Sequence, residues 1–327
     1  MLTQPAPMVE VFRGDILESI HAGHAVIARA NGEIVEAWGN PEQVILPRSS
    51  VKILQALPLL ESGAGADLTG EQLALACASH SGEQRHVDKV SRWLDDLGLD
   101  EHALCCGPQS SSDRELRHEM IRRGEAPSRI HNNCSGKHTG FLTLTKHLGA
   151  GPNYVDPDHP VQQAVRAAYE EMTDEVSPGF GIDGCSAPNF AASIKGVARA
   201  MAQCAASSKG SGVRNKAATA LTRAMIAHPE MVSGKARACA TIMVAAKGKA
   251  AVKPGAEGVF TAILPELELG IALKIADGAT RASEIAIAAL LVRLGVLDAG
   301  DPAVAHYLHQ PVKNWDGLVT GFMRPVI

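Results

Sequence analysis

Aromatic residues and long apolar runs are both scarce in this chain. Only 4% of the 327 residues are Phe, Trp or Tyr, although 46% are hydrophobic. The core must therefore consist mainly of Ala, Val, Leu and Ile, which favours closely packed helices and an aliphatic sheet. The longest apolar stretch near the C-terminus, residues 285–292, is far too short to cross a bilayer.

Further absences narrow the class of function. The net charge of −4 provides no basic field for nucleic acid and no polybasic patch for a membrane. The N-terminus has no charged start before an apolar run, so no signal peptide is predicted and we expect a cytoplasmic protein. The seven cysteines include no CxxC pair, and we expect reduced thiols. Any metal site must therefore be assembled from dispersed residues.

Strand-like patterns lie at both ends of the chain and helical patterns fill the middle. Asn31-Gly32 between two short β-like runs predicts a hairpin, and a second hairpin is predicted over residues 257–275. The tail, residues 313–327, is predicted to return as an edge strand or as a loop near the site. Helices are predicted over residues 51–60, 71–79, 85–97, 112–123, 160–172, 187–206, 213–228 and 280–294, with another beginning near residue 134.

These patterns predict an α/β (α+β) protein of a single domain, residues 1–327. An antiparallel sheet would come from about residues 1–60 and 245–327 and be packed by helices, with a mostly helical part at about 61–244.

Ser49 and Lys52 are three residues apart at the start of a predicted helix. That spacing places both side chains on one helix face, so the lysine amine can reach the serine hydroxyl. A serine needs a base to become a nucleophile, and a lysine serves only when its surroundings lower its pKa. Ser-x-x-Lys is the nucleophile motif of serine β-lactamases and penicillin-binding proteins. The alternative interpretation is an N-cap serine followed by a surface lysine.

Four other segments carry more polar and small residues than packing requires. They are residues 78–83, 131–140, 181–189 and 252–258. In the second segment Cys134, Lys137 and His138 are spaced to lie on one side of a helix, whose dipole would stabilise a thiolate in the first turn. Each segment alone also has a purely structural interpretation, as a cap, a turn or a solvated loop.

Together the motifs resemble the rhizobial-type L-asparaginases, which are serine-dependent enzymes with a β-lactamase-like fold. The resemblance covers about residues 13–321 and implies a fold similar to that of serine β-lactamases and penicillin-binding proteins. It implies hydrolysis of the side-chain amide of L-asparagine, by an amidohydrolase acting on linear amides, and a homodimer. It rests on the blocks Arg48-Ser49-x-x-Lys52, Cys77–Glu83, Asn133–His138, Asp183-Gly184-Cys185 and His228–Val232.

The resemblance also implies catalytic roles. Ser49 matches the nucleophile and Lys52 its partner, while Ser81 and Lys253 match a second serine–lysine pair. Lys274 is a rival for the role of Lys253.

The resemblance implies a zinc site and a set of substrate-binding residues as well. The zinc ligands would be Cys134, Lys137 and Cys185, with Asp183 close by. The substrate-binding residues would be Arg48, His80, Glu83 and Asn133.

Specificity and two alternative functions complete the sequence-based hypotheses. We expect little glutaminase activity, because a substrate held at both ends cannot accommodate an extra methylene. One alternative is another serine amidohydrolase or peptidase of the β-lactamase fold, against which the missing S-D-N and K-T-G motifs count. The other is a non-catalytic zinc-binding protein, in which both serine–lysine pairs would be idle.

Overall fold

The computed structural model describes residues 4–235 and 237–327. Its strands are β1 (Ala6–Arg13), β2 (Ile16–Arg29), β3 (Ile34–Trp38), β4 (Val44–Ile45), β5 (Phe180–Ile182), β6 (Pro188–Phe190), β7 (Ala192–Ser193), β8 (Ala251–Pro254), β9 (Val259–Leu264), β10 (Leu269–Ile275), β11 (Gln310–Lys313) and β12 (Val319–Pro325). Its α-helices are α1 (Lys52–Glu61), α2 (Gly70–Ala76), α3 (Gln84–Asp96), α4 (Arg114–Arg123), α5 (Ser135–His147), α6 (Pro160–Thr173), α7 (Ile194–Ala206), α8 (Val213–Ala227), α9 (Pro229–Val232), α10 (Ala238–Ala245), α11 (Thr280–Arg293) and α12 (Pro302–Leu308).

The chain divides into two compact units. The sheet unit comprises residues 1–50, 192–206 and 241–327, and the helical unit comprises residues 51–191 and 207–240. The sequence predicts the sheet-bearing part at about residues 1–60 and 245–327 and the helical part at about 61–244. That the whole chain acts as one domain stays a prediction.

The sheet unit is built on one antiparallel sheet with the strand order β11-β12-β1-β2-β10-β9-β8, and β3 also pairs with β2. All residues of β9 and nearly all of β10 are buried, so both faces of these inner strands are covered. Helices α7 and α11 pack against them. Gly270 in β10 allows this close packing, because a Cβ there would lie 2.2 Å from the backbone of α7.

The helical unit is centred on α5, which begins just after Cys134. Residues 135–145 of this helix are buried without interruption, and α1, α2, α3 and α6 surround it. Gly136 permits the approach of α2, since a Cβ there would lie 2.6 Å from the carbonyl oxygen of Leu75. The segment with the predicted zinc ligands is therefore held in the centre of this unit.

Much of the predicted fold is confirmed. The structure has a mixed α/β fold with an antiparallel sheet drawn from both ends of the chain and a helical middle. Both predicted hairpins form, as β2–β3 and β9–β10. Within the described ranges, no helix has the length and apolar character needed to span a membrane.

Two predicted elements are wrong in part. The helix predicted over residues 187–206 begins only at Ile194, because residues before it form the short strands β6 and β7, which pair with β5 and β4. This helix, α7, also belongs to the sheet unit rather than to the helical part, since its apolar face packs on β2, β9 and β10. In the tail, β12 is an inner strand and β11 is the edge strand.

Candidate active site

Ser49 lies in a one-turn 3-10 helix, Arg48–Val51, directly before α1. Arg48 has a φ of +56°, in the left-handed region that side chains other than glycine rarely adopt. The Ser50 hydroxyl donates to the carbonyl of Pro47 at 2.7 Å and closes the turn. Ser49 itself is half-buried. Backbone strain of this kind concentrates at functional sites, which agrees with the predicted role of this turn.

Lys253 lies on β8, which packs against the same turn. The hydroxyl of Thr261, its cross-strand partner, donates to the carbonyl of Ser50 at 3.0 Å and to that of Lys253 at 3.3 Å. Gly255 makes this approach possible, because a Cβ there would lie 2.6 Å from the carbonyl oxygen of Pro47. The Lys253 side chain is 2% exposed and donates to the carbonyl of Pro254 at 2.9 Å.

The rival lysine, Lys274, lies two strands away on β10. Its ammonium donates to the backbone carbonyls of Glu257 and Ile275. Burial lowers the pKa of Lys274, against the opposing effects of the Glu257 and Asp277 carboxylates. The packing of β8 on the Ser49 turn favours Lys253 as the second catalytic lysine.

In the helical unit, the side chain of Lys52 contacts residues of two other motifs. Its side chain is 1% exposed. The ammonium donates to the carbonyl of Ala78, to Ser79 Oγ at 2.9 Å and to Cys134 Sγ at 3.0 Å. When Lys52 is protonated, these three acceptors take all three of its N–H donors. Lys52 thus joins the segment of residues 78–83 to the start of α5.

Ser79 is a candidate functional residue that the sequence reasoning missed. The motif Ala78-Ser79-His80-Ser81 contains two serines, and spacing alone does not decide which one faces Lys52. The structure places Ser79 Oγ on Lys52, whereas Ser81 Oγ donates to the Glu83 carboxylate at 2.7 Å. The role of Ser81 stays a prediction, and Ser79 has the geometry expected of the second serine.

Glu83 and Asn133 both have contacts inside the helical unit. The Glu83 carboxylate accepts from the Ser81 hydroxyl and from the backbone N–H of Lys235 at 2.9 Å, and it pairs with Arg85 at 3.0 Å. The side-chain oxygen of Asn133 accepts from Cys134 Sγ at 2.9 Å. Their predicted roles in substrate binding remain predictions.

His80 is wholly buried and uses both ring nitrogens within the protein. The Gly82 N–H donates to Nδ1 at 3.1 Å, so Nδ1 is the acceptor and Nε2 carries the proton. Nε2 lies 3.0 Å from Ser135 Oγ, which in turn donates to the carbonyl of Ile130. The ring also stacks on His86 with centroids 4.7 Å apart. This arrangement gives His80 a supporting position, and substrate binding by His80 stays a prediction.

The predicted zinc ligands Cys134, Lys137 and Cys185 are all buried in the helical unit. Lys137 Nζ lies 3.1 Å from Cys185 Sγ. Burial alone would lower the pKa of Lys137, but the Cys185 and Cys134 sulfurs and the Asp183 carboxylate raise it above its usual value. The hydrogen bond between the two cysteines lowers the pKa of Cys185 and raises that of Cys134, which favours Cys185 as the thiolate.

His138 is buried next to Cys185, which acts as a hydrogen-bond partner of its ring. Its Nδ1 lies 2.9 Å from the hydroxyl of Tyr154. Burial lowers the pKa of His138 to about 4, so the ring is neutral at pH 7.

This donor set fits zinc by its chemistry. Sulfur and neutral nitrogen are the donors that zinc prefers. The described residues contain no group of three His, Cys, Asp or Glu side chains placed to hold a metal. The predicted set includes only two residues of those types, because its third member is a lysine.

Comparison with known proteins identifies the family. The family model described as L-asparaginase II matches residues 9–325. The chain belongs to the L-asparaginase II family. Membership supports an L-asparaginase activity, as the motifs implied. No curated protein matches the chain significantly.

Two solved structures match this L-asparaginase II family member at low sequence identity. A candidate β-lactamase from Bacteroides dorei DSM 17855 is 13% identical with a TM-score of 0.45, over 77% of this chain and 84% of that one. Mglu in its native form is 12% identical with a TM-score of 0.44, over 85% of this chain and 66% of that one.

The hydrogen bonds of His80 lead to a prediction about stability. Replacing His80 with Phe leaves the Gly82 N–H and the Ser135 hydroxyl without their buried partner. We expect the free energy of unfolding to fall by about 1–3 kcal/mol in urea titration. His118→Phe, at an exposed position on α4, is the matched control and should change stability little. Equal stabilities of the two variants would contradict the supporting position of His80.

Proposed function

We propose that the protein hydrolyses the side-chain amide of L-asparagine to L-aspartate and ammonia through an acyl-enzyme on Ser49. The observation that carries this proposal is the match of residues 9–325 to the L-asparaginase II family. The strained turn at Arg48 and the buried contacts of Lys52 support the proposed mechanism.

The first half-reaction forms the acyl-enzyme. Ser49 Oγ attacks the carboxamide carbon of the substrate, and Lys52 in its amine form takes the proton from the hydroxyl. The carbon–nitrogen bond then breaks, and the leaving nitrogen takes a proton and departs as ammonia. Arg48, next to the nucleophile in the chain, is the proposed anchor for the substrate.

Proton delivery to the departing nitrogen needs a second hydroxyl. Ser79 Oγ lies 2.9 Å from Lys52 Nζ, so the proton that Lys52 has taken can pass through this hydroxyl to the nitrogen. Lys253 is the proposed second lysine. In the second half-reaction, water attacks the ester carbonyl and Lys52 accepts a proton from that water. The ester bond to Ser49 Oγ then breaks, Lys52 returns the proton to Ser49 Oγ, and aspartate departs.

A zinc site is part of the proposal. Cys134, Lys137 and Cys185 would hold the metal, with Asp183 close to Lys137. Bound zinc would supply a positive charge that stabilises the thiolates and the neutral amine of its ligands. Cys134 also contacts Lys52, so the residues of the zinc site order the catalytic lysine as well.

The remaining parts of the proposal rest on the sequence resemblance. We propose a cytoplasmic homodimer. Glu83 and Asn133 are proposed to contribute to the substrate-binding site, with His80 in support.

Serine variants test the mechanism. Ser49→Ala should abolish ammonia release from asparagine, because the nucleophile is lost. Ser79→Ala should lower kcat by about 10²–10⁴-fold, the usual contribution of a proton-transfer group. Ser81→Ala is the matched comparison and should cost clearly less, since its hydroxyl contacts Glu83 rather than Lys52. A greater loss of kcat in Ser81→Ala than in Ser79→Ala would show that Ser81 is the second catalytic serine. Ammonia release by Ser49→Ala would overturn the mechanism.

Cysteine variants test the metal site. Elemental analysis should find zinc in the purified protein and less of it in Cys134→Ala and Cys185→Ala. Cys185→Ala should mainly raise KM, whereas Cys134→Ala should also lower kcat because it removes a contact to Lys52. Cys105→Ala, at a partly exposed thiol next to Pro152, is the control and should keep its zinc. Zinc-free wild-type protein, or full zinc in both variants, would contradict the site.

Substrate length tests how the substrate is held. One methylene in an apolar pocket changes binding by only about 1–3 kcal/mol. If the α-amino and α-carboxyl groups are fixed at one end, glutamine displaces its reacting carbon, and a misplacement of about 1 Å costs on the order of a hundredfold. We therefore expect kcat/KM for asparagine to exceed that for glutamine strongly in a coupled ammonia assay. Comparable values would show that the site does not fix both ends.

A further inference from the structure

The sheet unit contains a cavity of about 530 Å³, and of its lining residues the proposed mechanism uses only Arg48. This volume lies within the range of small-molecule sites, roughly 300–1,000 Å³. Its polar lining includes His24, Lys274, Arg48 and Glu257, and its apolar wall includes residues 44–46. Within that wall Val44 and Leu46 are 50% and 42% exposed, so a ligand in the cavity can contact their side chains.

The register of the sheet puts two basic side chains together in this cavity. His24 on β2 and Lys274 on β10 are direct cross-strand partners, so their side chains lie on the same face of the sheet. Burial, with a further effect from Lys274, lowers the pKa of His24, which favours the neutral imidazole. Lys274 therefore supplies charge and His24 a neutral donor.

The tautomer of His24 follows from its hydrogen bond. The backbone N–H of Asn40 donates to His24 Nδ1 at 2.8 Å, so the ring proton is on Nε2. Gly39, with a φ of +71°, allows the loop to approach His24 this closely, because a Cβ at this position would lie 2.3 Å from Nδ1. His24 is 5% exposed, and its side-chain hydrogen bond within the described part of the chain is the one that Nδ1 accepts from Asn40.

Lys274 also has an N–H donor that is available to a ligand. Its ammonium donates to two backbone carbonyls, those of Glu257 and Ile275, and a third N–H remains. Neither acceptor carries charge, and the compensating charge near the ammonium comes from the Glu257 and Asp277 carboxylates. Among the residues lining the cavity, Arg48 and Lys274 are cationic and only Glu257 is anionic.

We propose that this cavity binds the carboxylate of a small organic acid, with Lys274 Nζ and His24 Nε2 as donors. The aliphatic residues 44–46 cover the carbon chain of the ligand. A carboxylate can accept from both donors at once and balance the charge of the half-buried ammonium. The acid can be the amino-acid substrate or product, or a separate aliphatic acid. The shared chemistry is the carboxylate.

Calorimetric titration tests this site without reference to turnover. Hexanoate and L-aspartate are titrated into the wild-type protein, with hexanamide as the uncharged counterpart of hexanoate. We expect at least one of the two carboxylates to bind and hexanamide not to bind. Binding of L-aspartate alone would identify the site as an anchor for the substrate or product, and binding of hexanoate would identify it as a site for aliphatic acids.

Three variants locate the binding in this cavity. Lys274→Met should weaken the carboxylate about 10- to 100-fold, while Lys274→Arg keeps the charge and should retain most of the affinity. His24→Asn keeps an acceptor for the Asn40 N–H but removes the Nε2 donor, and should weaken binding several-fold. Thermal melting confirms that each variant is folded. No binding of either carboxylate, equal binding of hexanamide, or unchanged affinity in folded Lys274→Met would overturn the proposal. Ser49→Ala should bind as wild type does, so a failure of the proposed reaction is distinguishable from a failure of this site.

Discussion

A buried ammonium needs an acceptor for each of its three donors, and Lys52 imposes this constraint on the helical unit. Its acceptors come from the segment after α2 and from the residue before α5. The two segments must therefore meet at one point in the core. The close approach of α2 and α5 at Gly136 makes that meeting possible. The positions of Ser79 and Cys134 follow from the same contacts.

The burial of lysine side chains lowers the stability of the core. Lys52, Lys137 and Lys253 are each at most 3% exposed in a protein whose buried residues are mainly Ala, Val, Leu and Ile. Burying a charged group is unfavourable unless it is paired, and packing alone would be served better by Leu or Met. Local rules of folding are broken chiefly where function requires it. Three buried lysines together with a strained Arg48 are thus what a catalytic protein of this kind should contain.

The sequence allowed most of the fold to be predicted, because the relevant signals are local. Asn31-Gly32 marks a hairpin by its turn chemistry, and helices such as α1 and α11 follow from apolar spacing. The packing partner of α7 was harder to predict, since its alanine-rich face can pack in a helix bundle as well as on a sheet. Only packing on Gly270 and its neighbours decides between them.

The motifs predicted which segments contribute to the candidate site, but they did not predict which side chains in those segments contact each other. The residue blocks that identified the family also contain Lys52, Cys134, Lys137 and Cys185, which lie in two buried contact pairs. The choice between Ser79 and Ser81 depends on which side chain turns toward Lys52, and adjacent serines in a loop carry no periodicity to show it. The pairing of His24 with Lys274 depends on strand register between segments about 250 residues apart, which a single sequence does not specify.

The most direct measurement is to trap the acyl-enzyme. The protein is mixed rapidly with L-asparagine, quenched in acid during turnover, digested and analysed by mass spectrometry. The account predicts an aspartyl ester on the peptide that contains Ser49, absent from the Ser49→Ala protein and from a quench without substrate. An ester on Ser79 or Ser81 instead, or turnover with no ester on any serine under conditions that trap acyl-enzymes, would contradict Ser49 as the nucleophile.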